Sequence, residues 1–560
     1  MISIGIMALV LGFLFHKPLT GEYIFGGPDS LSPSAVHQGI ISVEEEYGKY
    51  PLWLPWVFSG LPSVHSFQNI SDYYFPNFLM DILKLMGIPS FWNYIFHFLL
   101  AGMGVFAILK KLGTNDYSAL FGGLSFALMP YLITMVVHGH GSQMMTTAWL
   151  PWIIWSILCL YDEVSLKNLG MLGLIVGMQM QRAHAQIAYY SWMAAGLLIL
   201  TLLFKIHEKP NKSPKWLLYT GCAFILGLCM AMWIYLPAIN YTPFSIRGAG
   251  SGGGTGFEYA TNWSFSFSEI ATFFIPSYYG FGGVTYWGSV GAVSKGVFYP
   301  FTDYPNYMGI IVLTLAVIGI LFHKSKIKWY FVITAFLALL ISFGKNFFFY
   351  QLLYDYFPYF NKFRVPAMFL ILTQFSTAVL AGMGFETSSR WITHYKVAYS
   401  QKKLIWVVSG VVIIILGLKF MMGANPDYGA YSHPVFNALR VNMLNCDIIM
   451  GLLFLFIGGV TYYMVFMGWI GRQILSWIII IASVIDMGLV DRQIIEPDKK
   501  SYRQSTMANK SLKSNYLSED EVIRFLKQDK NRYRILPIGS LANENRWSAF
   551  QIESIEGYHP

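Results

Sequence analysis

The chain has 560 residues, of which 55% are hydrophobic, 17% aromatic and only 12% charged, and its mean hydropathy is +0.48. Soluble globular proteins carry about 25% charged residues, so this composition, with its apolar residues in long runs, indicates a polytopic membrane protein. The formal net charge of +9 does not indicate a nucleic-acid partner, because the lysines and arginines lie mostly in short loops between apolar runs.

The apolar runs predict an all-α membrane domain with about 13 transmembrane helices. The first run is short for a span, which needs about 20 residues, and we expect that helix to begin upstream of Met1. The predicted spans are 1–16, 90–109, 117–137, 143–161, 167–181, 186–204, 216–238, 307–323, 329–343, 366–385, 404–422, 447–469 and 473–490.

Loop charges predict the orientation, because cytoplasmic loops are enriched in lysine and arginine. With the N-terminus in the cytoplasm, the basic loops alternate correctly with longer loops that are poor in these residues. The two longest loops, 17–89 and 239–306, then lie outside together with the polar turns, and an odd number of spans leaves the C-terminal segment outside. The lysines and arginines that support this orientation are Lys110, Lys111, Lys205, Lys209, Lys212, Lys215, Lys324, Lys326, Lys328, Arg390, Lys396, Lys402 and Lys403.

Two domains follow from the change in composition after the last span. Residues 1–490 form the transmembrane domain, and residues 491–560 form a small α/β extracytoplasmic segment. Within this segment "SEDEVIRFLKQD" predicts a short capped helix, while "RYRILPI" and "SAFQIESI" alternate as strands do. The chain stops at "EGYHP" without a closing element, and we expect more of the outer domain to follow.

The first outer loop contains two acids near its ends, Asp29 in "GGPDSLSP" and Asp72 in "NISDYYFPN". Acids beside a membrane-embedded site act as general bases, bind metals or orient a hydroxyl or cationic substrate. Each acid also has a structural interpretation. Asp29 can form a turn after Pro28, and Asp72 can cap the segment that begins "YYFPNFL".

Two short outer turns are also polar. "HGHGSQ" contains His138 and His140 in an H-x-H spacing, but two further metal ligands are not obvious, so interfacial histidines on a glycine-rich turn are the favoured interpretation. "QRAHAQ" places Arg182, His184 and Gln186 in an otherwise apolar region. Polar groups at membrane depth are often functional, and for this turn a structural and a ligand-binding role are equally supported.

A basic outer segment, "FPYFNKFRVP", precedes the tenth predicted span. It carries Lys362 and Arg364. A guanidinium at the membrane surface suits a phosphate group, and it suits ordinary lipid headgroups equally well. The chain contains no P-loop, nucleophile elbow, HExxH or dinucleotide-binding fingerprint, so no single motif defines a reaction.

An ordered set of segments resembles a known family. "GGPDS", "PLWLPWVFSGLPSVHSFQNISDYYFPN", "GLSFALMP", "HGHGSQMMTTAWLPW", "RAHAQIAYY", "FSFSEIATFFIPSYYGFGG", "YPNYMGII" and "FNKFRVPAMFLIL" occur in this order. From about Phe25 to the end, the chain resembles the YfhO family of bacterial membrane proteins, which looks like a branch of the GT-C glycosyltransferases. The resemblance implies a GT-C-like fold in the bacterial cytoplasmic (inner) membrane. It also implies sugar transfer, on the outer face, from a polyprenyl-phosphate donor to an envelope polymer or lipid.

The resemblance also implies roles for individual residues. A carboxylate in the first outer loop is the usual catalytic or substrate-orienting group, and Asp29 stands at that position. It would accept a proton from the acceptor hydroxyl, or hold that hydroxyl, while the anomeric centre inverts. From its position in the chain, and not from the resemblance, Arg364 is expected to hold the donor phosphate after closure of the glycine-rich loop 248–256, and a divalent cation stays open as a cofactor. The expected substrate-binding residues are Gln68, Asp72, His140, Arg182, His184, Gln186 and Arg364.

Two other functions remain open at this stage. A lipid or glycan transporter or flippase would place polar residues near the bilayer midplane, and the predicted spans contain few of them; Asp486, for example, lies near an outer end. A non-catalytic envelope assembly protein would use the outer segments as a binding module. Membrane lipids are partners in all three cases.

Overall fold

A computed structural model describes residues 2–66, 74–204, 214–245, 247–248, 254–282, 285–287, 305–394, 397–423, 427–428, 432–498 and 505–558. Over these ranges, nine helical segments are long and apolar enough to cross a membrane. They are Trp92–Lys111, Asp116–Val137, Gly141–Asp162, Ala185–Leu203, Lys215–Phe244, Pro366–Trp391, Gln401–Met422, Pro434–Phe466 and Arg472–Ile495.

Shorter helices complete the described bundle. Three of them are apolar: Ile2–Leu14, Ile310–Phe322 and Lys328–Ser342. Leu166–Gln181 contains 16 residues. The other α-helices are His16–Leu19, Pro28–Tyr47, Phe75–Leu85, Phe257–Ala260, Phe348–Tyr356, Ser511–Tyr516 and Glu521–Leu526.

The prediction of a helical, multi-pass membrane domain is confirmed, and every predicted apolar run falls on a helix. The number of span-length helices among the described residues is nine rather than 13. The largest shift in a boundary is at Pro434–Phe466, which begins well before the predicted residue 447. The helix Arg472–Ile495 continues past residue 490, so the predicted domain boundary falls inside a helix.

Burial separates inner from outer helices. The most apolar 18-residue window of Asp116–Val137 is 100% buried, and that of Pro366–Trp391 is 94% buried, whereas the window of Gln401–Met422 is 22% buried. The first two helices are therefore at the centre of the bundle. Gln401–Met422 and Lys215–Phe244, 28% buried, present apolar side chains at the periphery, where lipid is the solvent.

Small residues set the closest helix contacts. A Cβ atom built on Gly384 would lie 1.7 Å from the carbonyl oxygen of Leu315, and one on Gly319 would lie 2.2 Å from that of Leu380. The helix Ile310–Phe322 and the span Pro366–Trp391 therefore pack backbone against backbone. Small residues serve this purpose in membranes, where no hydrophobic force drives helices together and association depends on close van der Waals contact.

The long connections gather at one end of the bundle, which we call the loop end. Of the residues that the structure describes, it comprises 15–66, 74–91, 242–245, 247–248, 254–282, 285–287, 305–309 and 343–369, together with the tail, residues 505–558. The opposite end has short connections with ion pairs such as Lys111–Asp162 at 2.8 Å and Lys110–Asp116 at 2.7 Å. The positive-inside rule still predicts that the loop end faces outward.

The tail is joined to the first loop by a small antiparallel sheet. Strand Tyr23–Phe25 pairs with Met507–Asn509, and a second sheet, Trp53–Leu54 with Leu61–Pro62, lies within the loop. The predicted capped helix is present as Glu521–Leu526, and its cap is Asp520, whose side chain accepts from the amide of Ile523.

The two strands predicted for the tail are not present as strands. "RYRILPI" and "SAFQIESI" meet only in an isolated bridge between Ile535 and Ser554, and Arg546–Phe550 forms a 3₁₀-helix. The alternation of apolar and polar residues in these two segments reflects packing rather than strand formation. This segment packs against the helix Pro28–Tyr47, and Trp547 and Ile552 join a small core with Ile523.

Candidate active site

Asp29 lies in the first turn of a 20-residue helix, Pro28–Tyr47, which we call the Asp29 helix. Gly27 is its extended N-cap, Pro28 supplies the preset φ of the first turn, and the helix ends at Gly48 in the left-handed region. A negative side chain in the first turn interacts favourably with the helix dipole. The interpretation of Asp29 as a loop-turn residue is therefore wrong. The sequence contained the correct indication, a proline followed by an acid at a helix start.

The histidine turn, His138–Gly141, packs directly on the start of the Asp29 helix. Gly139 has φ +88°, and a Cβ atom there would lie 2.7 Å from Ser30 Oγ and 2.8 Å from the carbonyl carbon of Asp29. Glycine is required here both for the backbone conformation and for the close approach of the two segments. His140 is consequently held beside Asp29.

Each oxygen of the Asp29 carboxylate has a different neighbour. Oδ1 accepts a hydrogen bond from the hydroxyl of Tyr558, a tail residue. Oδ2 lies 3.4 Å from Nε2 of His140, and the two side chains are 21% and 25% exposed, respectively. Burial lowers the pKa of His140, although the Asp29 carboxylate acts in the opposite direction, so the imidazole is neutral at neutral pH. The carboxylate is thus both fixed and reachable.

Arg364 brings a positive charge to this group. It acts electrostatically on both His140 and Tyr558. Its guanidinium donates to the hydroxyl of Tyr259 at 2.5 Å and lies 5.2 Å from the centroid of that ring and 5.6 Å from that of Trp263. Aromatic faces hold a guanidinium in a fixed plane, which leaves its remaining donors available for an anion.

Gln186 positions the backbone of Arg364. Its side-chain amide donates to the carbonyl oxygen of Arg364 at 2.5 Å and to the hydroxyl of Tyr190 at 2.8 Å. Tyr190 in turn stacks on Phe369 with a centroid distance of 3.6 Å. The predicted site residue Gln186 therefore acts on the site through Arg364, and its amide nitrogen is occupied by these bonds.

Arg247 is a second cation near this site, and it is not among the site residues that the sequence predicts. Its Nη1 donates to the carbonyl oxygen of Lys362 at 2.8 Å. Lys362 is two residues before Arg364, so this bond ties Arg247 to the segment that carries Arg364; burial lowers the pKa of Arg247, and the charge of Arg364 lowers it further. The sequence feature that could have identified Arg247 as a site residue is its position as a lone arginine in an outer loop that is otherwise poor in basic residues.

His184 interacts electrostatically with two residues of the site, His140 and Arg247. Its Nδ1 accepts from the amide of Ile187 at 3.3 Å and so caps the helix Ala185–Leu203. Burial lowers its pKa to about 3, and the neighbouring His140 and Arg247 act in the same direction. His184 is therefore a neutral helix cap that borders the candidate site.

Arg182 lies in a different environment at the same end. It is 8% exposed, and its guanidinium lies 4.8 Å from the centroid of the Tyr74 ring. The hydroxyl of Tyr74 interacts with His97 and Trp149, at 2.8 Å in each case. We call these four residues the Arg182 cluster. Of the polar turn "QRAHAQ", the structure brings His184 and Gln186 to the Asp29 site and turns Arg182 into the bundle.

Two predicted site residues, Gln68 and Asp72, lie outside the described residues, as does most of the glycine-rich loop 248–256. Among the residues that the structure does describe, no group of three or more His, Cys, Asp or Glu side chains could hold a metal ion. The described donors around Asp29 therefore do not form a ligand set for the divalent cation that the sequence leaves open, and we derive no step through a metal.

Neither a protein-family model nor a curated protein matches this sequence, so the resemblance to the YfhO family stays a prediction. Distant matches exist among solved structures, each 11% identical. They include arabinofuranosyltransferase AftD from Mycobacteria, the oligosaccharyltransferase of Archaeoglobus fulgidus, and ArnT from Cupriavidus metallidurans bound to undecaprenyl phosphate.

The extent of these matches differs. The TM-scores are 0.41 for AftD, 0.47 for the oligosaccharyltransferase and 0.43 for ArnT. The matches cover 74%, 99% and 99% of this chain, and 27%, 64% and 84% of the respective solved chains. This chain thus spans less than two thirds of the first two proteins, and a likeness at these scores carries no argument about its function.

Proposed function

We propose that this chain is a membrane glycosyltransferase that moves a sugar from a polyprenyl-phosphate donor to a cell-envelope acceptor, with inversion at the anomeric carbon. One observation carries the proposal. A fixed, reachable carboxylate, Asp29, lies at the loop end of a membrane bundle. The charge of Arg364 acts on both of its neighbours, His140 and Tyr558, and Arg247 bonds the backbone of Lys362, two residues before Arg364. A base for an acceptor hydroxyl and a receptor for a lipid-borne phosphate are the two parts that this reaction needs.

The proposed reaction is a single displacement. Oδ2 of Asp29 takes the proton of the acceptor hydroxyl as the acceptor oxygen forms its bond to the anomeric carbon. The bond between that carbon and the phosphate oxygen breaks, and the electron pair leaves with the phosphate. The products are the glycosylated acceptor and polyprenyl phosphate.

Arg364 and Arg247 have the second role in this proposal. Negative charge develops on the phosphate as it leaves, and guanidiniums held in place before the reaction stabilise such charge most effectively. Arg364 is held by Tyr259 and by the Gln186 bond to its backbone. Arg247 is held by the carbonyl oxygen of Lys362. The lipid tail of the donor would lie along the apolar periphery of the bundle.

The test compares cells that carry the intact gene, a deletion, Asp29→Asn and Asp81→Asn at matched protein levels. Asp81 is a suitable control because it is an acid of the first loop that is 57% exposed and pairs with Lys84. Mass spectrometry of envelope glycans and polyprenyl-phosphate sugars is the measurement. We expect the deletion and Asp29→Asn to lose one modification and accumulate one lipid-linked sugar, and Asp81→Asn to behave as the intact protein.

Loss of one general base lowers a rate by roughly 10²- to 10⁴-fold, which is well within the range of this measurement. If the deletion removes the modification but Asp29→Asn retains it, the protein acts in the pathway and the site is wrong. If the deletion changes no glycan and no lipid-linked sugar, the enzyme proposal fails, and transport or assembly takes its place.

A further inference from the structure

The tail places one side chain in the candidate site. Tyr558 donates its hydroxyl hydrogen to Oδ1 of Asp29, a residue that lies 529 positions earlier in the chain. Burial raises the pKa of Tyr558, and the Asp29 carboxylate raises it further. The phenol therefore keeps its proton at neutral pH and remains a donor.

The backbone of Tyr558 is held in two directions by one buried side chain. Its amide donates to Oδ1 of Asn545 at 2.7 Å, and Nδ2 of Asn545 donates to its carbonyl oxygen at 2.5 Å. Asn545 is 4% exposed. The preceding Gly557 lies so close to Val57 that a Cβ atom would be 2.7 Å from its Cγ1. The position of the phenol is thus determined by the fold of the tail.

The tail is itself docked on the Asp29 helix and the first loop. The amide of Ser59 donates to the carbonyl oxygen of Ser554 at 2.8 Å. A Cβ atom on Gly39 of the Asp29 helix would lie 2.2 Å from the carbonyl oxygen of Ser548, so the helix and the tail meet backbone to backbone. The tail and the Asp29 helix therefore form one unit with the carboxylate between them.

We propose that Tyr558 is a positioning residue for Asp29, so that the tail completes the active site rather than forming a separate binding module. The hydrogen bond to Oδ1 fixes the rotation of the carboxylate about its Cβ–Cγ bond. Oδ2, next to His140, then remains as the oxygen that faces the acceptor hydroxyl. This inference rests on the proposed function for its effect on transfer, whereas the contact itself can be tested without it.

The first experiment measures sugar transfer in cells, by the glycan mass spectrometry described above, for Tyr558→Phe and Tyr533→Phe at matched protein levels. Tyr533 is a matched control because its hydroxyl donates to the carbonyl oxygen of Leu526 inside the tail. We expect Tyr558→Phe to lower transfer by roughly ten- to a hundredfold, since a small misplacement of a reacting group lowers a rate by up to about 100-fold. Tyr533→Phe should retain transfer.

The second experiment reads the contact directly and requires no substrate. 3-Fluorotyrosine is placed at position 558 alone, and the ¹⁹F spectrum of the purified full chain is recorded at neutral pH. Asp29→Asn removes the charge that faces the phenol, so the ¹⁹F resonance should shift. Asp81→Asn should leave it in place. A purely structural role of Tyr558 in the tail would make the resonance insensitive to Asp29.

The outcomes separate this inference from the proposed function. An unmoved resonance in Asp29→Asn, or full transfer by Tyr558→Phe, overturns the positioning role even if Asp29→Asn is inactive. A shifted resonance together with reduced transfer by Tyr558→Phe supports it. If Asp29→Asn transfers normally while the resonance shifts, the contact is real but the catalytic proposal fails, and the role of Tyr558 in transfer fails with it.

Discussion

The Asp29 site and the Arg182 cluster lie at the same end of the bundle and both take polar side chains from the turn "QRAHAQ", yet they differ in what they leave accessible. The Asp29 carboxylate is 21% exposed and faces a neutral imidazole, with a guanidinium acting nearby. Arg182 is 8% exposed, lies over an aromatic ring, and its Nε has no hydrogen-bond partner among the described residues. Both regions are polar, but only the Asp29 carboxylate is exposed enough to meet a substrate from the loop end.

The difference also concerns charge. Near Asp29, a partly exposed carboxylate lies within the electrostatic reach of a cation, because the charge of Arg364 acts on both neighbours of Asp29, His140 and Tyr558; this suits a reaction that moves a proton and releases a phosphate. In the Arg182 cluster, the one cation lies over the ring of Tyr74, whose hydroxyl contacts His97 and Trp149, and no carboxylate among the described residues pairs with it. The following predictions, from the largest expected effect to the smallest, test whether this contrast corresponds to function.

The paired arginines should give the largest effect. Arg364→Gln and Arg247→Gln should each weaken binding of polyprenyl phosphate by about ten- to a hundredfold, because a charged hydrogen bond contributes about 1.5–3 kcal/mol. Binding to the purified protein is measured by intrinsic tryptophan fluorescence. The control is Lys345→Gln, an exposed cation at the same end, which should bind normally; equal weakening in all three variants would refute a specific phosphate site.

Replacing Gly139 should damage the site through packing. Gly139→Ala places a Cβ atom against Ser30 and Asp29, whereas Gly113→Ala, at φ +84°, meets open space. The left-handed conformation alone destabilises an alanine by about 1–2 kcal/mol, so both variants should have a lower melting temperature than the unmodified chain. The decrease should be larger for Gly139→Ala, because its Cβ atom also clashes with Ser30 and Asp29.

The sugar-transfer activities of the Gly139→Ala and Gly113→Ala variants should differ more than their melting temperatures do. At matched protein levels Gly139→Ala should lower sugar transfer, because the histidine turn can no longer approach Asp29 as closely, and Gly113→Ala should retain it. If both variants transfer equally well, the close approach at Gly139 does not matter for the reaction.

His184 should make stability depend on pH. Its pKa is about 3 in the folded protein and about 6.5 when unfolded, so the unfolded chain binds the extra proton and stability falls as the pH drops from about 6.5 towards 3. The slope is roughly 1.4 kcal/mol per pH unit at most. His184→Asn keeps a side chain that caps helices well and should melt with a weaker pH dependence than the unmodified chain. An identical pH dependence in both proteins would contradict the burial of a neutral imidazole.

Arg182 should give the smallest effect on transfer. Arg182→Met keeps an unbranched chain and removes the charge, and a buried charge without an ionic partner carries a desolvation cost that an apolar side chain does not. We expect normal transfer and an unchanged or higher melting temperature. Loss of transfer by an intact, stable protein would restore Arg182 to the substrate-binding residues that the sequence predicts.

Part of the site was accessible from the sequence. The sequence predicts Asp29, His140, Gln186 and Arg364 as site residues, because polar residues are conspicuous in an apolar chain and the alternating orientation of the spans places them at one end. The sequence does not predict Arg247 and Tyr558 as site residues, since a lone arginine or tyrosine in a loop belongs to no motif with a recognisable spacing. Gln68 and Asp72 lie outside the described residues and stay predictions.

The sequence by itself determined the helical bundle and the end at which its polar groups collect. The reason is local: in lipid the backbone must satisfy its own hydrogen bonds, so each long apolar run becomes a helix, and Pro28 followed by Asp29 marks a helix start. Only the tertiary structure decided which polar groups meet. Asp29 and Tyr558 are 529 residues apart, and Gln186 and Arg364 are 178 residues apart. Such contacts depend on how helices and tail pack, because no local periodicity encodes them.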